Sequence, residues 1–134
     1  LQSLELERNN VARASTYQML ARVTIRQGEL GFKNTAERYL NEALRLHKNV
    51  YNTECHVNIA SVRYQLGYLH FQSSSANISR SCPRGRRPSD SSESSTGDSE
   101  IDYVRAAEHF EAALRIRRRV YVVVFSQSIY LSLT

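Results

Sequence analysis

The chain has 134 residues, a length that suits one small domain or part of a larger one. Hydrophobic residues make up 41% of it, and its formal net charge is +5. No apolar run reaches the roughly 20 residues that a membrane-spanning helix needs, and its two cysteines are too few for a disulfide framework. We therefore expect no membrane insertion and an intracellular location, either cytoplasmic or nuclear. Because the chain starts at Leu1 rather than at methionine, we expect it to be a fragment.

Composition divides the chain into three segments. Residues 1–72 are predicted to be helical, residues 73–100 to form a disordered insert, and residues 101–134 to begin as a helix. Serine dominates the insert, which also contains Pro83 and Pro88 and few apolar side chains. Such a segment cannot bury enough apolar surface to offset the entropy lost on ordering.

The first helix is expected over about residues 4–27, where no glycine or proline interrupts the chain. Gly28 and Gly31 then predict a tight connection. The second helix is expected over about residues 33–50, because its apolar residues follow the three–four spacing of one buried stripe. This stripe consists of Ala36, Tyr39, Leu40, Ala43, Leu44 and Leu46.

Polar residues near the predicted helix starts are candidate N-caps. Asn34 or Thr35 is expected to cap the second helix, and Thr53 is expected to cap a third helix over about residues 53–72.

Gly67 lies in the middle of the third helix, where glycine costs about 1 kcal/mol relative to alanine. We therefore expect another helix to pass close to Gly67. Two adjacent apolar stripes are predicted on the third helix, Ile59, Val62, Leu66 and Leu69 beside Ala60, Tyr64, Gly67 and Phe71.

A fourth helix is expected over about residues 101–120, where small alanines beside Phe110 favour close helix packing. The tail that follows, residues 121–134, starts with the run Val122 to Phe125, whose local propensity favours a strand. Continuation of a repeat would instead make this tail a helix that begins the next element. Both a helix and irregular structure remain open for it.

The second and fourth helices resemble each other in sequence. Residues 43–51 read ALRLHKNVY and residues 113–121 read ALRIRRRVY, an offset of 70 residues. Removing the 28 residues of the insert leaves a period of 42, which suits a two-helix repeat. Pairs of helices of this kind stack and share a core with their neighbours.

These residues resemble the tetratricopeptide repeat family, and the long period is similar to the repeats of kinesin light chain. The second-helix signature is matched by Ala36, Leu40 and Ala43 and by Ala106, Phe110 and Ala113. Leu66 and Gly67 are similar to the Leu-Gly pair of the family's first helices. The resemblance implies an all-α fold, an α-solenoid of helical hairpins interrupted by the insert, that binds a protein or peptide on a concave surface. It places four residues of the third helix in that groove: Ser61, Tyr64, Tyr68 and Phe71.

A second resemblance is to the family of erythroid differentiation-related factor 1, whose helical repeats are broken by long loops. It rests on residues 64–70, followed by an insert and then residues 106–114. This resemblance implies an alternative function, a nuclear, transcription-linked protein whose basic patches contact nucleic acid or chromatin factors. The arginine run from Arg117 to Arg119 is the candidate patch, but it lacks the interleaved aromatic residues of nucleic-acid-binding proteins.

Catalytic or cofactor chemistry has little support in the sequence. The four histidines are scattered, and Cys55 beside His56 is a neighbour in sequence rather than a nucleophile–base pair in space. No spacing of Cys, His, Asp and Glu predicts a metal site, and no glycine-rich phosphate loop is found. We therefore expect a non-enzymatic protein without a cofactor.

Three serines of the insert are candidate phosphorylation sites. Ser89 follows the basic run that ends at Arg87, and Ser95 and Ser99 each precede an acidic residue by three positions. Each phosphate would add about −1.5 to −2 charges. The added charge is expected to act on the arginines that follow in the fourth helix.

Overall fold

The computed structural model describes residues 2–28, 31–81 and 96–133, and the side chains of these except residues 77–81 and 96–99. All regular secondary structure in these ranges is α-helical, which confirms the predicted all-α class. The helices are α1 (Gln2–Gln27), α2 (Phe32–Tyr51), α3 (Val57–Ser81) and α4 (Thr96–Ser132). Among the described residues, no helix combines the length and apolarity needed to cross a membrane.

The first two helices form a hairpin across the predicted glycine connection. Gly28 and Gly31 both have a positive φ, 61° and 85°, a backbone conformation that glycine adopts without steric cost. Gly31 precedes α2 directly and no side chain caps it, so the predicted caps Asn34 and Thr35 were wrong and both lie inside the helix. Because Gly31 adopts the left-handed conformation, α2 begins at Phe32, before the positions of the predicted caps.

The connection between α2 and α3 also differs from the prediction. Asn52 has a φ of 48° and donates its backbone N–H to the Lys48 carbonyl oxygen at 2.9 Å, which ends α2. At the start of α3, His56 Nδ1 accepts the backbone N–H of Asn58 at 3.1 Å. Thr53 Oγ1 instead accepts the N–H of Cys55, so the cap of α3 is His56, and the prediction of Thr53 was wrong.

The main core lies where α1, α2 and α3 meet. All members of the predicted second-helix stripe are buried or half-buried, and the first stripe of the third helix is buried completely. The core is made by Ala14, Ala21, Ile25, Ala36, Leu40, Ala43, Leu46, Val62, Leu66 and Leu69. Small alanines on α1 and α2 let these two helices approach each other closely.

Helices α3 and α4 run antiparallel and pack closely at Gly67. A Cβ atom at Gly67 would lie 2.9 Å from the Phe110 ring and 3.1 Å from the Ala106 carbonyl oxygen. The prediction that another helix passes close to this glycine is therefore confirmed. Further along the pair, Ile59 and Ala60 of α3 form a second core with α4.

Helices α2 and α4, which match in sequence, share three buried positions. Ala36, Ala43 and Leu46 of α2 are buried, and so are Ala106, Ala113 and Ile116 of α4. The one core signature position that differs is Leu40, which is fully buried, whereas its equivalent Phe110 is half-buried against α3. The internal similarity thus extends from residue identity to packing.

The predicted insert over residues 73–100 was wrong at both ends. Helix α3 continues to Ser81 and α4 begins at Thr96, while residues 82–95 lie outside the described part. The serines that suggested a loop hydrogen-bond within the helix instead, as Ser73 Oγ and Ser74 Oγ both donate to the His70 carbonyl oxygen at 3.1 Å. Both serines are buried against neighbouring helices. Composition alone does not reveal this packing, which stabilises the helix beyond the predicted boundary.

The tail is helical and belongs to α4 rather than to a new element. Helix α4 runs without a break through the valine-rich run to Ser132, so irregular structure over residues 121–132 was the wrong alternative. Adding residues to an existing helix needs no new nucleation, and this outweighs the strand propensity of valine. Ser126 Oγ supports the helix by donating to the Val122 carbonyl oxygen at 2.8 Å.

Candidate interaction surface

Three large aromatic side chains lie exposed on one face of α3. Tyr64, Tyr68 and Phe71 are 48%, 42% and 47% exposed and recur at the three–four spacing of a single helix face. Ser61 lies one turn earlier and is half-buried. The opposite side of α3 carries the buried stripe, so core packing fixes the direction in which these aromatic residues point. We call Tyr64, Tyr68 and Phe71 the aromatic face.

A groove of about 410 Å³ separates α1 from α3 beside the aromatic face. We call it the α1–α3 groove. It is lined by Arg22, Ile25 and Arg26 of α1 and by Tyr64, Gln65, Tyr68 and Gln72 of α3. Gln72 Nε2 donates to the Tyr68 hydroxyl oxygen at 2.7 Å and so orients that ring. Of the four predicted groove residues, only Tyr64 and Tyr68 line this groove.

The other side of the aromatic face meets α4. Phe71 contacts Tyr103 edge to face, with ring centroids 6.0 Å apart, and Tyr64 lies 5.4 Å from Phe110. The guanidinium carbon of Arg117 lies 5.6 Å from the centre of the Tyr64 ring, within the range of a cation–π interaction. Helix α4 therefore extends the aromatic face with two rings and one positive charge.

The arginine run of α4 does not form one basic patch. Arg117 lies on the aromatic face, whereas Arg119 points to the other side of the helix and donates to Cys55 Sγ at 3.5 Å. Arg118 does not line the α1–α3 groove, and together with Arg115 and Arg119 it lines a cleft beside Glu111. Successive residues of a helix are 100° apart, so a run of three necessarily spreads over more than half of its circumference.

A buried polar cluster connects α2, α3 and α4. Asp102 of α4 is 4% exposed and receives the Lys33 ammonium group at 2.7 Å and 2.6 Å on its two oxygens. Ser73 Oγ donates to Asp102 Oδ2 at 3.2 Å, and His70 Nδ1 lies 3.3 Å from Oδ1. Burial acts to raise the pKa of Asp102. The hydrogen bonds from Lys33, His70 and Ser73, together with the positive charge of Lys33, outweigh this effect and hold the pKa below its usual value.

The hydrogen bonds of this polar cluster do not follow the order of a nucleophilic triad. In a triad the serine donates to the histidine, whereas Ser73 Oγ contacts the Asp102 carboxylate and a backbone carbonyl oxygen. The second ring nitrogen of His70 instead faces Glu37 at 3.8 Å. Within the described residues, no group of His, Cys, Asp and Glu has the arrangement of a metal site. The geometry of the polar cluster suits it for joining helices.

Two histidines outside this cluster, the buried His47 and the half-buried His109, make stability dependent on pH. Burial lowers the pKa of His47, assisted by the charge of His56, and burial likewise lowers the pKa of His109, assisted by the charges of His70 and Arg63. A histidine whose pKa is lower in the folded state contributes stability that is complete above its ordinary pKa of 6.5, and this contribution is lost as the pH falls below 6.5 and through the lower pKa of the folded state.

We therefore expect the melting temperature, measured by circular dichroism, to fall when the pH drops from about 7.5 to about 5.5. His109→Gln is the matched control, because glutamine keeps a polar amide but cannot bind the proton. Its melting temperature should fall less over the same pH range. An equal fall in both proteins would show that His109 does not carry the effect.

Of the three serines predicted to be phosphorylated, one lies in the described part of the chain. Ser89 and Ser95 lie outside the described residues, and Ser99 lies in the first turn of α4. Phosphorylation of all three stays a prediction.

Comparison of the chain with models of protein families, with curated proteins and with solved structures gave no match.

Proposed function

We propose that this chain is a protein-interaction module, a tetratricopeptide-like α-solenoid segment that binds a peptide or a partner helix on the surface between α1 and α3. Support for a repeat comes from α2 and α4, which match in sequence and share three buried positions. The observation that carries the proposal is the aromatic face at the edge of the α1–α3 groove.

Aromatic side chains that stay half exposed in the free protein are suited to anchoring a partner. A tyrosine or phenylalanine supplies a large contact area with few rotatable bonds, so little entropy is lost when it is immobilised. Here the core has already fixed the direction of the three rings, and Tyr68 is further oriented by Gln72. The volume of the groove, about 410 Å³, is within the range of known ligand sites.

The proposal predicts that Tyr68→Ala weakens binding of a peptide selected on the full chain by phage display. We expect the dissociation constant, measured by fluorescence anisotropy, to rise about tenfold or more, as for a central aromatic anchor. Tyr68 is the preferred site because it contacts the groove without contributing to the α3–α4 core.

Tyr130→Ala is the matched control, since Tyr130 is a tyrosine near the end of α4 that is 73% exposed and does not line the groove. Its affinity for the selected peptide should equal that of the unchanged chain. The proposal is contradicted if no peptide is selected, or if Tyr68→Ala binds as tightly as Tyr130→Ala.

A further inference from the structure

Helix α4 continues well beyond the core that it shares with α3. Val120 packs against that core, whereas every side chain from Tyr121 to Leu133 is exposed. We call residues 121–133 the apolar tail, because most of its side chains are large and apolar. A helix that is apolar around most of its circumference is expected to be covered, and contiguous exposed apolar surface marks an interaction site.

One stripe of the apolar tail is continuous along its length. It consists of Val122, Phe125, Ile129 and Leu133, which follow the three–four spacing of one helix face and are between 45% and 80% exposed. Two hydroxyl groups of the tail already have partners, since Ser126 Oγ and Ser132 Oγ donate to carbonyl oxygens of their own helix at 2.8 Å and 2.9 Å. Burying them therefore costs little. The stripe is suited to packing against a second apolar helix.

The absence of charge from the apolar tail restricts what can cover it. The tail contains no Asp, Glu, Lys or Arg, so it offers nothing that would select a charged partner. Residues 82–95 of the same chain are unsuited to cover it, because they include no large apolar side chain. A second copy of the chain supplies an uncharged apolar helix of the same length, and the two tails meet without repulsion between like charges.

We propose that the apolar tails of two copies pair antiparallel and join the chains in a dimer with two-fold symmetry. A surface that meets its own copy across a two-fold axis contributes the same residues from each side. With the axis at the level of Gln127, Phe125 of each copy packs against Ile129 of the other, since the two residues are equally distant from Gln127. The apolar tail does not line the α1–α3 groove, so this dimer goes beyond the proposed function.

The arginines that precede the apolar tail decide the direction of pairing. Arg118 lies four residues before Val122 and therefore on the same helix face. Parallel tails would place the Arg118 residues of the two copies side by side, about 10 Å apart. Antiparallel tails separate them by about 27 Å, well beyond the screening length of about 8 Å at physiological ionic strength. Each Arg118 then lies close to the last turn of the other copy's α4, whose free carbonyl oxygens carry a negative partial charge.

The expected interface is small. About half of the circumference of each tail faces the other, so the two tails bury about 1,000 Å² in total. This area is near the lower limit for a specific interface, and we expect a dissociation constant of about 10 µM. The dimer would present two α1–α3 grooves to one partner, and two linked contacts hold a partner more tightly than one.

A lipid surface fits the apolar tail less well than a second copy does. A helix that lies in a membrane interface carries Lys and Arg along one face, opposite its apolar face. In α4 the arginines from Arg115 to Arg119 precede the tail instead of running alongside it. The uncharged stretch is also shorter than the roughly 20 residues that cross a bilayer.

The test is sedimentation equilibrium of the full chain between about 1 µM and about 200 µM, a range that brackets the expected dissociation constant. The mass should rise with concentration from 15.4 kDa toward twice that value and no further. Phe125→Glu should raise the dissociation constant about tenfold or more, because it buries a charge against an apolar side chain, and Ile129→Lys should do the same. An equimolar mixture of these two variants should recover dimers, since the antiparallel arrangement places the new carboxylate opposite the new ammonium group.

Val104→Glu is the matched control, because it adds the same charge to an exposed apolar residue of α4 outside the tail. It should change the dissociation constant less than about twofold. Circular dichroism of the monomers should show the same melting temperature for Phe125→Glu and the unchanged chain, since Phe125 is exposed in the monomer.

Antiparallel pairing is overturned if the mass stays at 15.4 kDa, if it grows beyond that of a dimer, or if Val104→Glu weakens association as much as Phe125→Glu. It is equally overturned if the mixed variants stay monomeric. Vesicles with about 30% phosphatidylserine test the lipid alternative. A chain that stays monomeric and sediments with these vesicles, and no longer does so after Phe125→Glu, would assign the apolar tail to a membrane surface instead.

Discussion

Replacing Ala106 with Asp should separate α3 from α4 and unfold this half of the molecule. Ala106 is 3% exposed, and its carbonyl oxygen would lie 3.1 Å from a Cβ atom at Gly67, where the two helices pack closely. A carboxylate at this position would be almost completely withdrawn from water. Burying a group of this kind costs about 3–5 kcal/mol, a large part of the roughly 5–15 kcal/mol that stabilises a typical domain.

The expected result is a marked loss of helical content and of melting temperature, both measured by circular dichroism. Ala107→Asp is the matched control, because it adds the same charge to the next residue of the same helix, which is exposed. That variant should melt close to the unchanged protein. If Ala106→Asp keeps its helical content and melting temperature, the α3–α4 core described above is not the one that holds the chain together.

Periodicity predicted the parts of the fold that depend on one helix face. The stripe of α2 and the first stripe of α3 are buried as expected, because a repeating apolar face has to be covered whatever covers it. The close approach at Gly67 was also predictable. Glycine within a helix costs stability, so it is expected mainly where a neighbouring helix leaves no room for a side chain. These features need no knowledge of which helix is the neighbour.

Helix ends and buried polar groups could not be predicted in the same way. Ser73 reads as part of a serine-rich loop, yet it is buried and bonded to Asp102, a residue 29 positions later. Asp102 itself reads as a surface charge at the start of a helix, and its burial depends on Lys33 of α2. Contacts between residues so distant in sequence leave no trace in local composition.

The residues of the candidate site could likewise be predicted only in part. The resemblance to tetratricopeptide repeats placed Tyr64 and Tyr68 in a groove, and both line one. It did not indicate Arg22 and Arg26, which line the groove because α1 lies beside α3. A count of acidic residues along α3 would have revealed the charge of the groove, although not its position.

The buried ion pair between Lys33 and Asp102 provides the second large effect. Lys33→Met removes the cation but leaves the carboxylate, which is nearly inaccessible to solvent, at the junction of three helices. Loss of a partner from a fully buried pair costs about 3–5 kcal/mol, and because the Lys33 side chain is 32% exposed we expect about 2 kcal/mol. Chemical denaturation at neutral pH measures this loss. Glu42→Gln, which breaks the exposed pair with Arg45, should change stability little.

The pH dependence of the loss distinguishes an ion pair from simple packing. In the unchanged chain the pKa of Asp102 is held below its ordinary value of 3.8, so its contribution is complete above that pH and is lost as the pH falls further. Without Lys33, the burial that raises the pKa of Asp102 is less well opposed, and protonation then relieves the variant. The difference in unfolding free energy between the two proteins should therefore shrink on acidification. A packing defect would persist at all pH values, and Lys33→Met combined with Asp102→Leu should recover much of the stability, since it leaves no buried charge.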